Sequence, residues 1–203
     1  MTIDRYRSIS NECEATLRER ASRFIGIAFP IRDEEEFRIA LGRISRSHHG
    51  ANHFCYAFVL GPDAAVHRVN DAGEPSGTAG RPILRAIRSM ELTNTAVVVV
   101  RYFGGTLLGK AGLVKAYGEA ARSALAEAII VEHVVRENVH FACDHAQFDR
   151  LKKELAQIDG VLGECTFNER CEGVVALPVG SVHTIIDRWI ASGIDVLRTD
   201  QAK

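Results

Sequence analysis

The side chains of this chain that could do chemistry crowd into one stretch, Asp71 to Tyr117, where two glycine-rich loops flank one strongly apolar run. Eight of the 17 glycines lie between Gly73 and Gly118, and glycine at that density supplies positive φ or a close approach of backbone to something else. Residues 81 to 122 hold Arg81, Arg85, Arg88, Arg101, Lys110, Lys115 and Arg122 against Glu91 and Glu119, a local balance of +5. Arg81, Lys110 and Lys115 stand at or near expected helix starts, where unpaired amides already carry about half a positive charge. An anion resolves that conflict if it is held by Gly104, Gly105 and Gly109 together with Arg81, Arg101, Lys110 and Lys115. The pattern therefore points to phosphate or nucleic-acid binding, with the three cations converging on one phosphate-sized site. His53, Asp71 and Glu74 are the groups nearby that could support such a site or act as acid and base. The competing reading leaves the cations solvated, or paired with Asp71, Glu74 and Glu119.

The second loop approaches a nucleotide-triphosphatase signature without completing it. Gly104, four residues, Gly109 and Lys110 follow a strand and open a helix, but Ala111 occupies the place where a serine or threonine must hold magnesium. Triphosphate hydrolysis is disfavoured on that ground, and the sequence assigns no catalytic residue, metal or cofactor. The five cysteines are odd in number and lack CxxC spacing, so they read as reduced thiols. His140, Cys143, His145, Cys165 and Cys171 come nearest to a metal cluster, at spacings that match no standard zinc pattern.

The elements that must position these residues follow from periodicity and punctuation. Pro82 after Gly80 opens a helix to about Glu91. Thr95 to Phe103, with four consecutive valines, reads as a central strand covered on both faces. An unpaired arginine beside those valines is costly, so Arg101 is expected to be partly buried and held by Asp71, Glu74 or Glu119. A second helix runs from about Ala111 to Ala128. Upstream lie a short strand near Tyr6, a hairpin of Glu12 to Arg18 with Ser22 to Pro30, and a helix capped by Asp33 that ends near His48. Strands at His53 to Leu60 and Val66 to Asn70 complete the first half. After Glu132 the order is strand, helix, strand, strand, helix, strand, the βαββαβ arrangement of ferredoxin-like units.

Several motifs together resemble the IMPACT family, in its bacterial YigZ-like form: Ser22-Arg23-Phe24, His53-Phe54-Cys55, GEPSGTAGRP, VVVVRYFGGTLLG and GLVKAY. The resemblance implies an α+β protein. Its first domain, residues 1–132, would have the fold of the second domain of ribosomal protein S five, and its second, residues 133–203, would be ferredoxin-like. It implies involvement in regulation of translation, with RNA or a ribosome-associated protein as partner. Eukaryotic members act through an extra amino-terminal domain, for which this chain leaves no room. Ala72 stands where relatives often have a second aspartate, and Lys110-Ala111 replaces a more usual small or glycine pair.

At 203 residues and 46% hydrophobic content the chain can bury one ample core or two modest ones. A net charge of −1 rules out a wholly basic nucleic-acid binder, so any RNA contact must come from the local +5 segment. From Ser123 onward the balance is −5, and that half is not expected to hold a phosphate backbone unaided. No apolar run reaches 18 residues, which points away from the membrane and to a cytoplasmic protein. Two functions are therefore carried forward: a translation-associated RNA or ribosome binder, and an enzyme holding a small phosphorylated substrate in the 104–112 loop.

Overall fold

A computed structural model describes residues 3–198. The chain is α+β and divides into two compact units, one of residues 6–133 and one of residues 134–198 together with 3–5.

β1 (Arg5–Ile9) pairs with β7 (Ile130–Val134) in a two-stranded sheet, of which residues 6–9 and 130–133 belong to the first unit. β7 is built by the β-branched run from Ile129 to Val131. The main sheet has five strands: β2 (Cys13–Glu19), β3 (Ser22–Pro30), β4 (His53–Leu60), β5 (Val66–Asn70) and β6 (Thr95–Tyr102). Their order is β2-β3-β6-β4-β5, all neighbours antiparallel, so the valine strand is central. Its first seven residues are buried on both faces, because helices cover both. α1 (Glu34–Ser47) lies over one face, with Phe37 and Ile44 packed among Ile25, Ile27, Phe58 and Val98. α2 (Gly80–Ser89) and α3 (Gly109–Ala126) cover the other, with Ile83, Ile87, Tyr117 and Ala120 packed against Phe24, Ala57, Val97 and Val99.

The alanine-rich face of α3 has a specific purpose. A Cβ on Gly26 of β3 would stand 2.3 Å from the Ala120 carbonyl oxygen, so only glycine lets helix and strand approach this closely. Asp33 caps α1 by accepting the Glu36 amide at 2.8 Å, as its position before three glutamates requires.

In the second unit, β8 (Arg136–Cys143), α4 (His145–Gln157), β9 (Val161–Phe167), β10 (Cys171–Pro178), α5 (Val182–Ala191) and β11 (Asp195–Arg198) form an antiparallel sheet ordered β11-β8-β10-β9. This is the ferredoxin-like βαββαβ arrangement. Phe148, Leu151 and Leu155 of α4 and Ile185, Ile186 and Trp189 of α5 pack on one face of the sheet with Val139, Phe141, Val175 and Leu177. Trp189 is 1% exposed and donates its indole N–H to Glu154 at 3.0 Å, so it is a core residue. No helix among the described residues is long and apolar enough to cross a membrane.

Candidate functional site

The two glycine loops meet at the end of the central strand, where β6 delivers Arg101 into the interior. Arg101 is 4% exposed, and its Nη1 lies 2.5 Å from Glu74 Oε1. The same oxygen accepts the Tyr117 hydroxyl of α3 at 2.7 Å. His53 Nε2 of β4 faces it at 3.8 Å. Arg101 Nη2 donates to Ser22 Oγ at 3.3 Å, and its guanidinium sits 5.2 Å from the Phe24 ring centroid and 5.3 Å from that of Phe103. Only Arg101 Nε, among described buried side-chain atoms, has no hydrogen-bond partner. The buried ion pair thus ties the first loop to β6, β3 and α3 at once. The expectation for Arg101 holds, with Glu74 as the partner.

Asp71 does something different. Its Oδ2 accepts the Gly77 amide at 2.8 Å, and its Oδ1 accepts the Ala79 and Gly80 amides at 2.9 Å each. Burial pushes the carboxyl up, but three amide donors and nearby Arg81 outweigh it and hold Asp71 below the usual carboxylate range. The anion at the α2 start is therefore the chain's own carboxylate, nine residues upstream of Gly80, and Arg81 is placed to complement it. His53 Nδ1 donates to the Ala72 carbonyl at 2.8 Å, which leaves Nε2 facing Glu74. Cys55 Sγ donates to the Asp71 carbonyl at 3.0 Å. Burial pushes the Cys55 thiol up to about 12, so it is a packed thiol rather than a nucleophile. Burial, then Cys55 and Glu74, likewise raise Tyr117, which stays a phenol and donates.

The second loop is open by comparison. α3 has no side-chain cap and no acidic residue in its first turn. Gly105 and Gly109 take positive φ, 83° and 70°, with nothing within 4 Å of where a Cβ would be. Gly104 serves packing instead, since a Cβ there would overlap the Ala21 carbonyl oxygen at 1.9 Å. Arg20 reaches across to donate to the Leu107 carbonyl at 3.0 Å.

The cations are distributed along both helices. Arg81, Arg85, Lys110, Lys115 and Arg122 are all exposed. Lys115 has Glu119 at 4.0 Å, whereas Lys110, Arg85 and Arg122 have no ion-pair partner among the described residues. Pro82, next to Arg81, lies 3.7 Å from a Cβ position on Gly118. Gly118 is eight residues beyond Lys110, about 12 Å along the axis at the helical rise per residue. The start of α2 therefore packs beside α3 about two helical turns beyond Lys110. Among the described residues, no group of three or more His, Cys, Asp or Glu could hold a metal ion. The Cys171 thiol pairs with His145 Nδ1 at 3.2 Å.

Sequence reasoning missed the three-amide role of Asp71 and the Tyr117–Glu74 bond. The first had a signal, because an aspartate preceding a Gly-rich segment that ends in a helix start is a turn-bracing residue. The second had none, because Tyr117 falls on an apolar helical stripe.

A two-unit α+β chain with a buried Glu–Arg–Tyr brace between glycine loops defines the structural class. Residues 20–125 match the model of the Impact N-terminal domain. The chain is 35% identical over 151 residues to IMPACT family member YvyE of Bacillus subtilis, covering 74% of this chain and 70% of that one. It is 32% identical over 163 residues to IMPACT family member YigZ of Escherichia coli, covering 79% and 80%. A crystal structure of a hypothetical protein aligns with a TM-score of 0.70 at 26% identity, over 99% of this chain and 100% of that one. The chain belongs to the IMPACT family.

Proposed function

We propose that this protein is a cytoplasmic, translation-associated RNA binder, holding the phosphate backbone along the exposed cationic strip of α2 and α3. The observation that carries this reading is the contrast between the two helix starts. The α2 amides are taken by Asp71, and the α3 amides have no side-chain cap. An anion arriving from outside is therefore favoured at Gly109 to Gly112, beside Lys110. Lys115 and Arg122 are seven residues apart, about 20° around the helix, and so share one side of α3, while Lys110 at the helix start lies about 140° around from Lys115. Cations spread over two helical turns suit a polyanion better than one compact phosphate group. The enzymatic alternative is weakened, because Asp71 braces amides and Glu74 is buried against Arg101, which leaves His53 as its remaining acid/base group.

Fluorescence anisotropy with single-stranded RNA across a salt series, with ATP titrated in parallel, tests this. Affinity is expected to fall steeply with salt. Lys110→Ala and Lys115→Ala are each expected to reduce the log–log slope by about 0.7 without altering base preference. Salt-insensitive RNA binding that neither substitution changes removes the strip from the function. Saturable ATP binding lost in Lys110→Ala moves the assignment to a phosphate-ester enzyme.

A further inference from the structure

The second unit leaves one face of its sheet without a covering layer. α4 and α5 occupy the face carrying Val139, Phe141, Val175 and Leu177. On the opposite face, paired positions place His140 between Val174 and Leu197, and Ala142 between Glu172 and Asp195. Leu197 is 68% exposed. These residues and Glu164 line a concavity of about 940 Å³. Asp195 is bound by Arg170 at 2.7 Å and Glu172 also acts on that guanidinium, so one arginine serves two carboxylates, while Glu164 has no ion-pair partner among the described residues. The face thus presents an apolar centre, Val174, Ala142 and Leu197, bordered by three carboxylates, Glu164, Glu172 and Asp195, against the Arg170 guanidinium.

That composition selects the occupant. Sheet faces of this topology that read RNA do so with aromatic side chains on which bases stack, among cations that hold phosphates. Among the described residues histidine is the only aromatic-type ring on the open positions, and the border is acidic, so a polyanion is repelled. A protein helix about 10 Å across lies comfortably over four strands, whose outer members are about 14 Å apart. Its apolar stripe would cover Leu197 and Val174, and cations flanking that stripe would meet Glu164 and Glu172.

We propose that the open face of the β11-β8-β10-β9 sheet is a docking surface for an amphipathic helix of a protein partner, apolar along one stripe and flanked by lysine or arginine. The site is independent of the RNA strip of the first unit.

The test is methyl NMR of the full chain, titrated with an 18-residue amphipathic helical peptide carrying a leucine stripe flanked by lysines. The same peptide with glutamates for lysines and a ten-nucleotide oligouridylate serve as competitors of opposite chemistry. The lysine peptide is expected to shift the Leu197 and Val174 methyls, and the glutamate peptide and RNA to leave them unmoved. Glu164→Lys with Glu172→Lys is expected to weaken binding at least tenfold, and both sites are exposed, so the fold is preserved by circular dichroism. Leu197→Ala is expected to weaken binding several-fold with the same charge dependence. No shift with the lysine peptide, equal shifts with the glutamate peptide, or shifts of these methyls by RNA overturns the proposal. So does concentration-dependent self-association that protects the same methyls, which would make a second copy the occupant.

Discussion

Glu74 Oε1 is held by two residues at once, Arg101 at 2.5 Å and Tyr117 at 2.7 Å, in a position where the glutamate and arginine side chains are 4% and 5% exposed. Desolvating such a pair costs much of what its attraction returns, so the pair contributes little net stability yet is expensive to break. Arg101→Met is accordingly expected to destabilise the protein by about 3–5 kcal/mol, since it leaves a buried carboxylate uncompensated. Glu74→Gln combined with Arg101→Met is expected to recover a large part of that loss. Urea unfolding followed by circular dichroism gives the double-mutant cycle, and additive losses would show that the two side chains do not act as a unit.

Tyr117→Phe removes the second donor to Glu74 and is expected to cost about 1–3 kcal/mol, because a buried acceptor loses a partner. The ring still packs edge-on against Phe24, with centroids 5.1 Å apart, so near-ultraviolet circular dichroism is expected to keep its native form. A cost within error of zero would mean that Glu74 is satisfied by Arg101 alone.

Asp71 gives a pH dependence of definite sign. Its folded pKa is held below the unfolded one by three amides and Arg81. It therefore contributes stability that is present above the ordinary carboxylate range and lost as pH falls through the depressed folded value. Asp71→Asn is expected to be less stable than wild type by about 1–2 kcal/mol at neutral pH, the usual size for a lost carboxylate cap. That difference is expected to narrow below about pH 4, where the reference carboxylate protonates. A difference that stays constant down to pH 2 would rule out ionisation of Asp71 as the source.

Much of this architecture was legible because local signals and tertiary packing agree. The valines from Val97 to Val100 announce a strand buried on both faces, Asp33 before three glutamates announces a helix start, and the βαββαβ order follows from periodicity. Arg101 was legible for a related reason, as a charge that a central strand cannot leave alone. Other features depend on where side chains arrive after folding. Asp71 closes on amides up to nine residues away, a choice between bracing its own loop and holding a ligand that composition cannot make. Gly104 and Gly105 read alike in sequence, yet one is fixed by contact with Ala21 and the other by backbone conformation. β7 carries a weak signal, because its β-branched run from Ile129 to Val131 is short and follows directly on the end of α3.

Cysteine accessibility offers a separate check on the core of the site. Cys55 is fully buried, donates to the Asp71 carbonyl and is pushed up to about 12 by burial. Cys165 is the one half-buried cysteine. In native protein at pH 8, iodoacetamide is expected to label Cys165 first and leave Cys55 unmodified, with both labelled in urea. Peptide mapping by mass spectrometry reads the order, and early labelling of Cys55 would mean that the first loop opens readily.

The adjacent glycines of the second loop separate packing from conformation. A Cβ at Gly104 meets the Ala21 carbonyl at 1.9 Å, so Gly104→Ala must force the loop away from the β2–β3 turn. That movement disturbs Ser22, whose Oγ accepts both the Gly104 amide and Arg101 Nη2, and thereby reaches the buried brace. A cost of about 1–3 kcal/mol is expected from the overpacking alone. Gly105→Ala meets no neighbour and is expected to cost about 1–2 kcal/mol, the penalty of a left-handed conformation for a residue with a Cβ. Neither change removes a cation. RNA binding by Gly105→Ala is therefore expected to keep the wild-type salt slope, with affinity changed only through the geometry of the α3 start. Gly104→Ala is expected to shift Tyr117 and Arg101 resonances, whereas Gly105→Ala leaves them in place. If both variants perturb the brace equally, the two glycines act as one rigid turn, and the division between a packed and an open half of the loop is wrong.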